Sequence, residues 1–224
     1  MQPRPPRPRP AGAAPEQAER IQRLLQGFAT NPTDLRAFKT LEEHLFLNGA
    51  WTELASVYDC RLTALPPAGP ERIDVLGRVA AIYGDRLSDV PNARARYQEL
   101  LRLQPQNAGA LSSLRRLVAR SGDAMGALQL AEAEESLPLA PAERAQLLAE
   151  IGLLWRGLGD KAEARRRFEG ALELDPKCDP ALQGAALLAE DADERVRALE
   201  LHEKRLPALT GNPRADVLER MARL

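Results

Sequence analysis

The residues of this sequence with the widest chemical range are its two histidines, because a histidine beside a nucleophile or a metal is a common basis of catalysis near neutral pH. His44 and His202 are the only two. They lie far apart in the sequence, on segments predicted below to belong to different helix pairs. We therefore expect no shared site, and we expect His44 to be a partly exposed helix residue.

The two cysteines, Cys60 and Cys178, could in principle form a disulfide or hold a metal. They are too few for a disulfide framework and too widely spaced for a metal-ligand motif. This usage predicts a reducing compartment. The sequence also has no apolar run long enough for a signal peptide or a membrane span. We therefore expect a cytoplasmic protein that binds no metal.

Closely spaced carboxylates could act as a general acid and base if they were buried together. Two groups have this spacing, and they are Glu132, Glu134 and Glu135, and Glu190, Asp191, Asp193 and Glu194. Both groups lie at polar positions near predicted helix ends, which favours solvated charge. The run Arg165 to Arg167 would point in three directions on a helix, so it also predicts a solvated face.

Motifs that carry catalysis are missing from the sequence. It contains no glycine-rich phosphate loop, no nucleophile elbow, and no His-Glu-x-x-His or Cys-x-x-Cys motif. We therefore predict no catalytic residue, no cofactor and no enzymatic activity.

Composition favours helices over strands. Hydrophobic residues make up 44% and aromatic residues 4% of the 224 residues, and the abundant Ala, Leu, Arg and Glu are good helix formers. The net charge is -1. Without Arg4, Arg7 and Arg9 the rest of the chain carries about -4, whereas binding to nucleic acid normally needs a concentrated basic patch. We therefore expect the body of the chain not to bind nucleic acid.

Residues 1–15 hold six of the 18 prolines and no large apolar residue. Such a segment cannot bury enough surface to offset its ordering entropy, which predicts a disordered tail. Arginine-proline segments can also dock in aromatic grooves or touch anionic polymers. A solvated tail is the favoured interpretation, and both alternatives stay open.

A helical pattern begins at Glu16, and an internal repeat follows it. One set of turn residues recurs at steps of 39, 34, 37 and 34 residues, and it comprises Gly49, Ser88, Gly122, Gly159 and Asp193. Each turn residue is followed five positions later by a small or apolar residue, and these pairs of positions share one period. The pattern predicts helix, tight turn, helix in each unit. One inserted residue is expected near Leu87 and Ser88.

The repeat sets the predicted domain organisation. An all-α array is expected over residues 16–213, with five units at approximately 35–68, 73–106, 108–141, 145–178 and 179–212. Residues 214–224 are expected to be the first helix of a further unit or a truncated cap. The pattern favours a fragment of a longer array over a complete chain.

The unit from Ala145 to Cys178 resembles the tetratricopeptide repeat family. The residues that carry the resemblance are Gly152, Trp155, Gly159, Ala164, Phe168, Ala171 and Pro176. The resemblance implies a right-handed helical-repeat solenoid of antiparallel helix pairs. It also implies that small residues let paired helices approach while Trp155 and Phe168 fill the space between them.

The family resemblance further implies a concave groove, lined by the first helix of each pair, that binds a peptide or a partner helix. By register the groove residues are Arg36, Lys39 and Glu43, then Asp74, Gly77 and Ala81, then Ser112, Arg116 and Arg120, and then Ala149, Leu153 and Arg156. The lysine and asparagine set that holds a peptide carboxylate in some members is not repeated here. The small residues and arginines favour a helical or acidic partner.

The leading functional hypothesis is a non-catalytic scaffold that binds another protein, with self-association left open. Two alternatives remain. One is nucleic-acid binding through the basic tail or the repeat surface, and the other is an accessory repeat segment of a larger enzyme or signalling protein. A fold of this kind supports binding only by analogy.

Overall fold

The computed structural model describes residues 13–224, which form twelve α-helices and no β-strand. The helices are α1 (Ala13–Thr30), α2 (Leu35–Leu47), α3 (Trp51–Ala64), α4 (Pro70–Ala81), α5 (Val90–Leu103), α6 (Ala108–Arg120), α7 (Ala124–Glu135), α8 (Pro141–Gly157), α9 (Lys161–Leu174), α10 (Asp179–Asp191), α11 (Arg195–Arg205) and α12 (Gly211–Arg223). The predicted all-α class is confirmed. Residues 1–12 of the predicted tail lie outside the described residues.

The chain divides into two compact units, Met1–Pro105 and Gln106–Leu224. In the first unit, α2 contacts α3 and α4 contacts α5, and α1 contacts both α2 and α3. In the second, the contacting pairs are α6 with α7, α8 with α9 and α10 with α11, and α12 contacts α11. The boundary falls between two helix pairs, as expected for repeats that each contribute a complete pair.

Several helices begin where a side chain caps the first turn. The oxygens of Asp34, Asp89, Asn107, Asp123 and Asp160 each accept a hydrogen bond from a backbone N–H two or three residues later. These N–H groups have no partner within their own helix, so the caps fix where α2, α5, α6, α7 and α9 start.

The turn inside each helix pair uses a left-handed residue. The five periodic turn residues all have positive φ, namely Gly49 at 66°, Ser88 at 55°, Gly122 at 88°, Gly159 at 86° and Asp193 at 56°. Glycine adopts this conformation without a steric cost, whereas serine and aspartate are strained there. The predicted repeat period is confirmed at all five positions.

The turn between α4 and α5 contains the predicted extra residue. Residues Ile82–Arg86 form a π-helical turn that continues α4. The backbone N–H of Leu87 donates to the carbonyl of Ile82 at 3.0 Å, and this five-residue spacing absorbs one additional residue without ending the helix. Asp85 and Arg86 therefore lie just beyond the carboxyl end of α4, in the π-helical turn.

The core of the second unit is built around Phe168 of α9, which has no exposed surface. Its ring lies against two glycines, and a Cβ atom would come within 2.6 Å of the ring at Gly152 of α8 and within 2.2 Å at Gly184 of α10. The two glycines therefore allow α8 and α10 to pack closely against an aromatic ring of α9. The predicted role of Gly152 is confirmed, and Gly184 adds a contact that the family pattern did not indicate.

The expectation that the acidic group at residues 132–135 is solvated is wrong for Glu134. Its carboxylate is buried and accepts a hydrogen bond from Nε of the buried Arg115 at 2.8 Å. Arg115 also binds Glu150 of α8. Burial lowers the pKa of the Arg115 guanidinium, but its hydrogen bonds to the two carboxylates outweigh that effect and raise it. Glu134 occupies a core position because a cation neutralises it.

The run Arg165 to Arg167 is ion-paired. Arg165 contacts Glu194 at 2.7 Å, Arg166 contacts Glu163 at 2.8 Å, and Arg167 contacts both Glu163 and Glu135. The three side chains point in different directions, as expected, and each finds a carboxylate of its own unit.

Within residues 13–224, none of the helices combines the length and the apolar character needed to cross a membrane.

Candidate binding groove

Helix α2 exposes two large apolar side chains at its carboxyl end. Phe38, Leu41 and Leu45 form its buried face, whereas Phe46 is 58% exposed and Leu47 is 74% exposed. Each residue advances about 100° around a helix, so the two residues after Leu45 point away from the core. Large exposed apolar side chains that cluster are a mark of binding surfaces.

These two side chains border a cavity of about 680 Å³ in the first unit. Its walls come from α2, from α4 and from the π-helical turn, and Tyr58 of α3 forms the floor. The lining residues are Glu42, Glu43, Phe46, Leu47, Tyr58, Arg78, Ala81, Ile82, Asp85 and Arg86. We call this cavity the α2–α4 groove. Its volume is in the range that ligand sites occupy.

Aromatic contacts hold the apolar end of the groove in place. The rings of Phe46 and Trp51 meet edge to face with centroids 5.4 Å apart. The guanidinium of Arg86 lies 4.9 Å from the centroid of the Trp51 ring, within the range of a cation–π interaction. The π-helical turn supplies this arginine, so the inserted residue shapes the groove directly.

The floor of the groove is a hydrogen-bonded ionic group. The Tyr58 hydroxyl donates to Oε1 of Glu42 at 2.5 Å, and Nη1 of Arg78 donates to the same oxygen at 2.8 Å. Arg78 also pairs with Asp74 at 3.0 Å. Burial and the neighbouring Glu42 carboxylate raise the pKa of the Tyr58 phenol well above its ordinary value. Tyr58 therefore stays neutral and acts as a hydrogen-bond donor.

The structure brings two of the predicted groove residues of the first unit into this cavity, Glu43 and Ala81. Arg36 and Lys39 are exposed on α2 but do not line the cavity. Asp74 reaches it only through its ion pair with Arg78.

Gly77 faces the interior of its own helix pair. A Cβ atom there would lie 3.5 Å from Cδ1 of Leu100 on α5. Register against the family pattern did not identify Phe46 or Leu47 as groove residues. The available signal was an aromatic and a leucine directly after the periodic residue Leu45, out of phase with the buried face.

The predicted groove residues of the second unit are placed less uniformly. Arg116 and Arg120 are exposed on α6, Ser112 is half-buried, and Leu153 of α8 is 41% exposed. Arg156 pairs with Asp191 at 3.3 Å.

Ala149 corrects the prediction, because it has no exposed surface and lies in the core cluster around Phe168. The side chain of Ala149 points into the core because α9 and α10 both cover that face of α8.

A second cavity, of about 540 Å³, lies among α10, α11 and α12. His202 on its wall is buried, and its Nε2 lies 2.6 Å from Oε1 of Glu190. Arg220 pairs with the other oxygen of Glu190 at 3.1 Å. Most charged groups of this cavity are satisfied by each other, which favours a structural role in holding α10, α11 and α12 together. His44 and His202 belong to different units.

Among the described residues, no group of three or more His, Cys, Asp or Glu side chains is arranged to hold a metal ion. Both thiols are free, and burial raises the pKa of Cys60 and of Cys178.

Solved structures with the same arrangement of helices include tetratricopeptide repeat proteins. A tetratricopeptide repeat protein from Parabacteroides merdae superposes with a TM-score of 0.67 at 17% identity, covering 91% of this chain and 74% of that one. YrrB, described as a tetratricopeptide repeat protein with an unusual peptide-binding site, gives 0.64 at 16% identity, covering 91% and 100%. MamA gives 0.64 at 18% identity, covering 81% and 92%.

The chain therefore has the helical-repeat fold of tetratricopeptide repeat proteins, and the predicted fold class and resemblance are confirmed. No protein-family model matches the sequence, and no curated protein matches it either.

Proposed function

We propose that the protein is a non-catalytic scaffold whose α2–α4 groove binds an extended segment of a partner protein. The observation that carries this proposal is the exposure of Phe46 and Leu47 at the edge of a cavity of about 680 Å³. Burying two such side chains stabilises a complex, since a fully buried Phe or Leu contributes about 1.5–3 kcal/mol.

The groove walls also specify the chemistry of the partner. Arg78 is already held by Glu42 and Asp74, and Arg86 lies over Trp51. The exposed carboxylate of Glu43 stands beside the apolar edge. A segment with a bulky apolar or proline side chain next to a basic side chain fits this arrangement, because it would cover Leu47 and pair with Glu43.

The residue types in the groove agree with a site that binds a partner and catalyses no reaction. Its part-buried acid–hydroxyl pair, Glu42 with Tyr58, is held in place by a hydrogen bond from Arg78 to Glu42. The structural neighbour YrrB is described as having a peptide-binding site, which supports a peptide as the ligand class. The helical or acidic partner predicted from the small residues and arginines of the groove stays a prediction, as does the cytoplasmic localisation.

A displayed library of random twelve-residue peptides, selected on the full chain, tests the proposal. Selected peptides are then titrated by fluorescence anisotropy against the chain and against Leu47→Ser. We expect enrichment of apolar residues beside a basic residue and at least a tenfold loss of affinity in Leu47→Ser. Val196→Ser is the matched control, because Val196 is 72% exposed on α11 and lies outside the groove. Equal binding by both variants would contradict the proposal.

A further inference from the structure

We propose that the α2–α4 groove is occupied by the chain's own residues 1–12, so that the protein carries an internal ligand that competes with a partner. This inference rests on the proposed function, because it names an occupant for the same groove. It joins two features that are separate in the sequence, namely the arginine-proline segment before α1 and the aromatic edge of the groove.

The chain topology places the start of α1 near the groove. Helices α1 and α2 are joined by the short turn 31–34 and contact each other, and the rings of Phe28 and Phe38 stack beside that turn at 5.9 Å. The two helices therefore run in opposite directions. The first turn of α1 then lies at the carboxyl end of α2, where Phe46 and Leu47 are exposed.

The length of residues 1–12 is sufficient to reach the groove. Helix α1 has 18 residues and α2 has 13. At about 1.5 Å per residue, α1 extends roughly 8 Å beyond the end of α2. A twelve-residue segment in a polyproline conformation spans up to about 37 Å. It can therefore turn back to the groove and lie along it.

The chemistry of the segment matches that of the groove edge. The sequence MQPRPPRPRPAG contains five prolines and three arginines, with no acidic residue. Proline-rich segments dock on surfaces lined by aromatic side chains, because the proline rings pack on the aromatic faces and little conformational entropy is lost. Phe46 lines the groove and is exposed, so its ring supplies such a surface, and its edge-to-face contact with Trp51 holds the ring in place.

The charge of the groove edge is also suited to an arginine. Glu43 is exposed and lines the groove, and it forms no ion pair with the described basic residues. An arginine of the segment that reached Glu43 could form a bidentate pair with it. The prolines would then cover Phe46 and Leu47.

A labelled peptide with the sequence of residues 1–12 tests this proposal by competition. Its binding is followed by fluorescence anisotropy on the full-length chain and on the full-length variant Arg4→Ala, Arg7→Ala, Arg9→Ala. In the unchanged chain the internal segment competes at an effective concentration of about 1 mM. If the peptide binds the variant with a dissociation constant near 100 μM, we expect about tenfold weaker binding to the unchanged chain.

Two further proteins locate the binding site. Adding Leu47→Ser to the arginine variant should abolish binding of the peptide, whereas adding Val196→Ser should leave it unchanged. Equal binding to the unchanged chain and the arginine variant would overturn the proposal, and so would binding that survives Leu47→Ser. Analytical ultracentrifugation then measures the oligomeric state of the unchanged chain and of the arginine variant. A monomer is expected, and a dimer that the arginine variant dissociates would show that a second copy supplies the segment and would overturn the intramolecular form.

The outcome also separates this inference from the proposed function. If library-selected peptides bind the arginine variant at Leu47 and the peptide of residues 1–12 does not, only the internal ligand is rejected. If no peptide of either origin binds at Leu47, the groove itself is rejected as a binding site.

Discussion

Among the single residues, Glu134 shows how strongly context decides the state of a side chain. Its neighbours Glu132 and Glu135 are not buried, yet Glu134 is 6% exposed and is neutralised by Arg115. An unpaired buried charge costs several kcal/mol. The pair is therefore a place where one substitution has a large effect.

We expect Glu134→Ala to lower the free energy of unfolding by about 3 kcal/mol, because it leaves the buried Arg115 with one fewer carboxylate. Urea denaturation followed by circular dichroism measures this. The control Glu132→Ala removes an exposed carboxylate of the same helix and should change stability by less than about 0.5 kcal/mol. Equal effects of the two substitutions would show that the buried pair makes no net contribution.

Tyr83 gives a prediction for alkaline pH. Burial and its hydrogen bond to Asp59, at 2.6 Å, raise the pKa of the phenol from about 10 to about 12. Above pH 10 the unfolded chain releases this proton more readily than the folded chain. The stability that Tyr83 contributes is therefore full below pH 10 and is lost as the pH rises toward 12.

We expect Tyr83→Phe to lose less stability than the unchanged chain between pH 8 and pH 11. Urea denaturation at the two pH values gives the comparison, with each protein serving as its own reference at pH 8. A loss that is the same in both proteins would mean that Tyr83 does not contribute to the alkaline decrease.

At the scale of helices, the second unit depends on close approach at glycine. Gly184 of α10 and Gly152 of α8 both face the ring of Phe168. A methyl group at Gly184 would overlap the ring, because its distance of 2.2 Å is well inside van der Waals contact. Overpacking of this kind typically costs 1–3 kcal/mol.

We expect Gly184→Ala to lower the melting temperature by about 4 °C, because overpacking outweighs the gain in helix propensity of about 1 kcal/mol. Gly170→Ala is the control within α9, where the new methyl would lie at an ordinary 3.7 Å from Leu148. That variant should keep or raise the melting temperature. A higher melting temperature for Gly184→Ala would show that α10 can move away from Phe168 at little cost.

The left-handed turns give another prediction at this scale. Ser88 has φ of 55°, where a glycine would be unstrained. Ser88→Gly should raise the free energy of unfolding by about 0.5–1 kcal/mol. Ser113→Gly, inside helix α6, should lower it by about the same amount. Denaturation in urea distinguishes the two signs, and a loss of stability in Ser88→Gly would mean that the serine side chain supports the turn.

The turns inside the helix pairs are the elements that the sequence predicts best. The positions of the turns follow from a local requirement, a residue that accepts positive φ, and the period of that requirement is visible in the sequence. The inserted residue near Leu87 was visible for the same reason, and it is accommodated by the π-helical turn. Burial of Glu134 was not predictable from periodicity, since its partner Arg115 lies on the preceding helix.

At the scale of the molecule, the fold class followed from the repeat, but the candidate site followed only in part. Glu43 and Ala81, which register assigns to the groove, both line the cavity of the α2–α4 groove, whereas Ala149 is buried by α9 and α10. That Glu43 and Ala81 bind a partner stays a prediction. Phe46 and Leu47 were missed because the family pattern describes residues that pack the repeats. Residues that bind partners differ between proteins of one fold, so their exposure has to be read from the structure.

Hydrogen–deuterium exchange of the full chain, with and without a saturating library-selected peptide, tests the groove most directly. We expect the peptide to slow exchange in α2, in α4 and in the turn Ile82–Arg86, and to leave α6 to α12 unchanged. The Leu47→Ser variant should show no such protection. Protection confined to α6 to α12, or none at a peptide concentration that saturates binding, would contradict a partner-binding site in the α2–α4 groove.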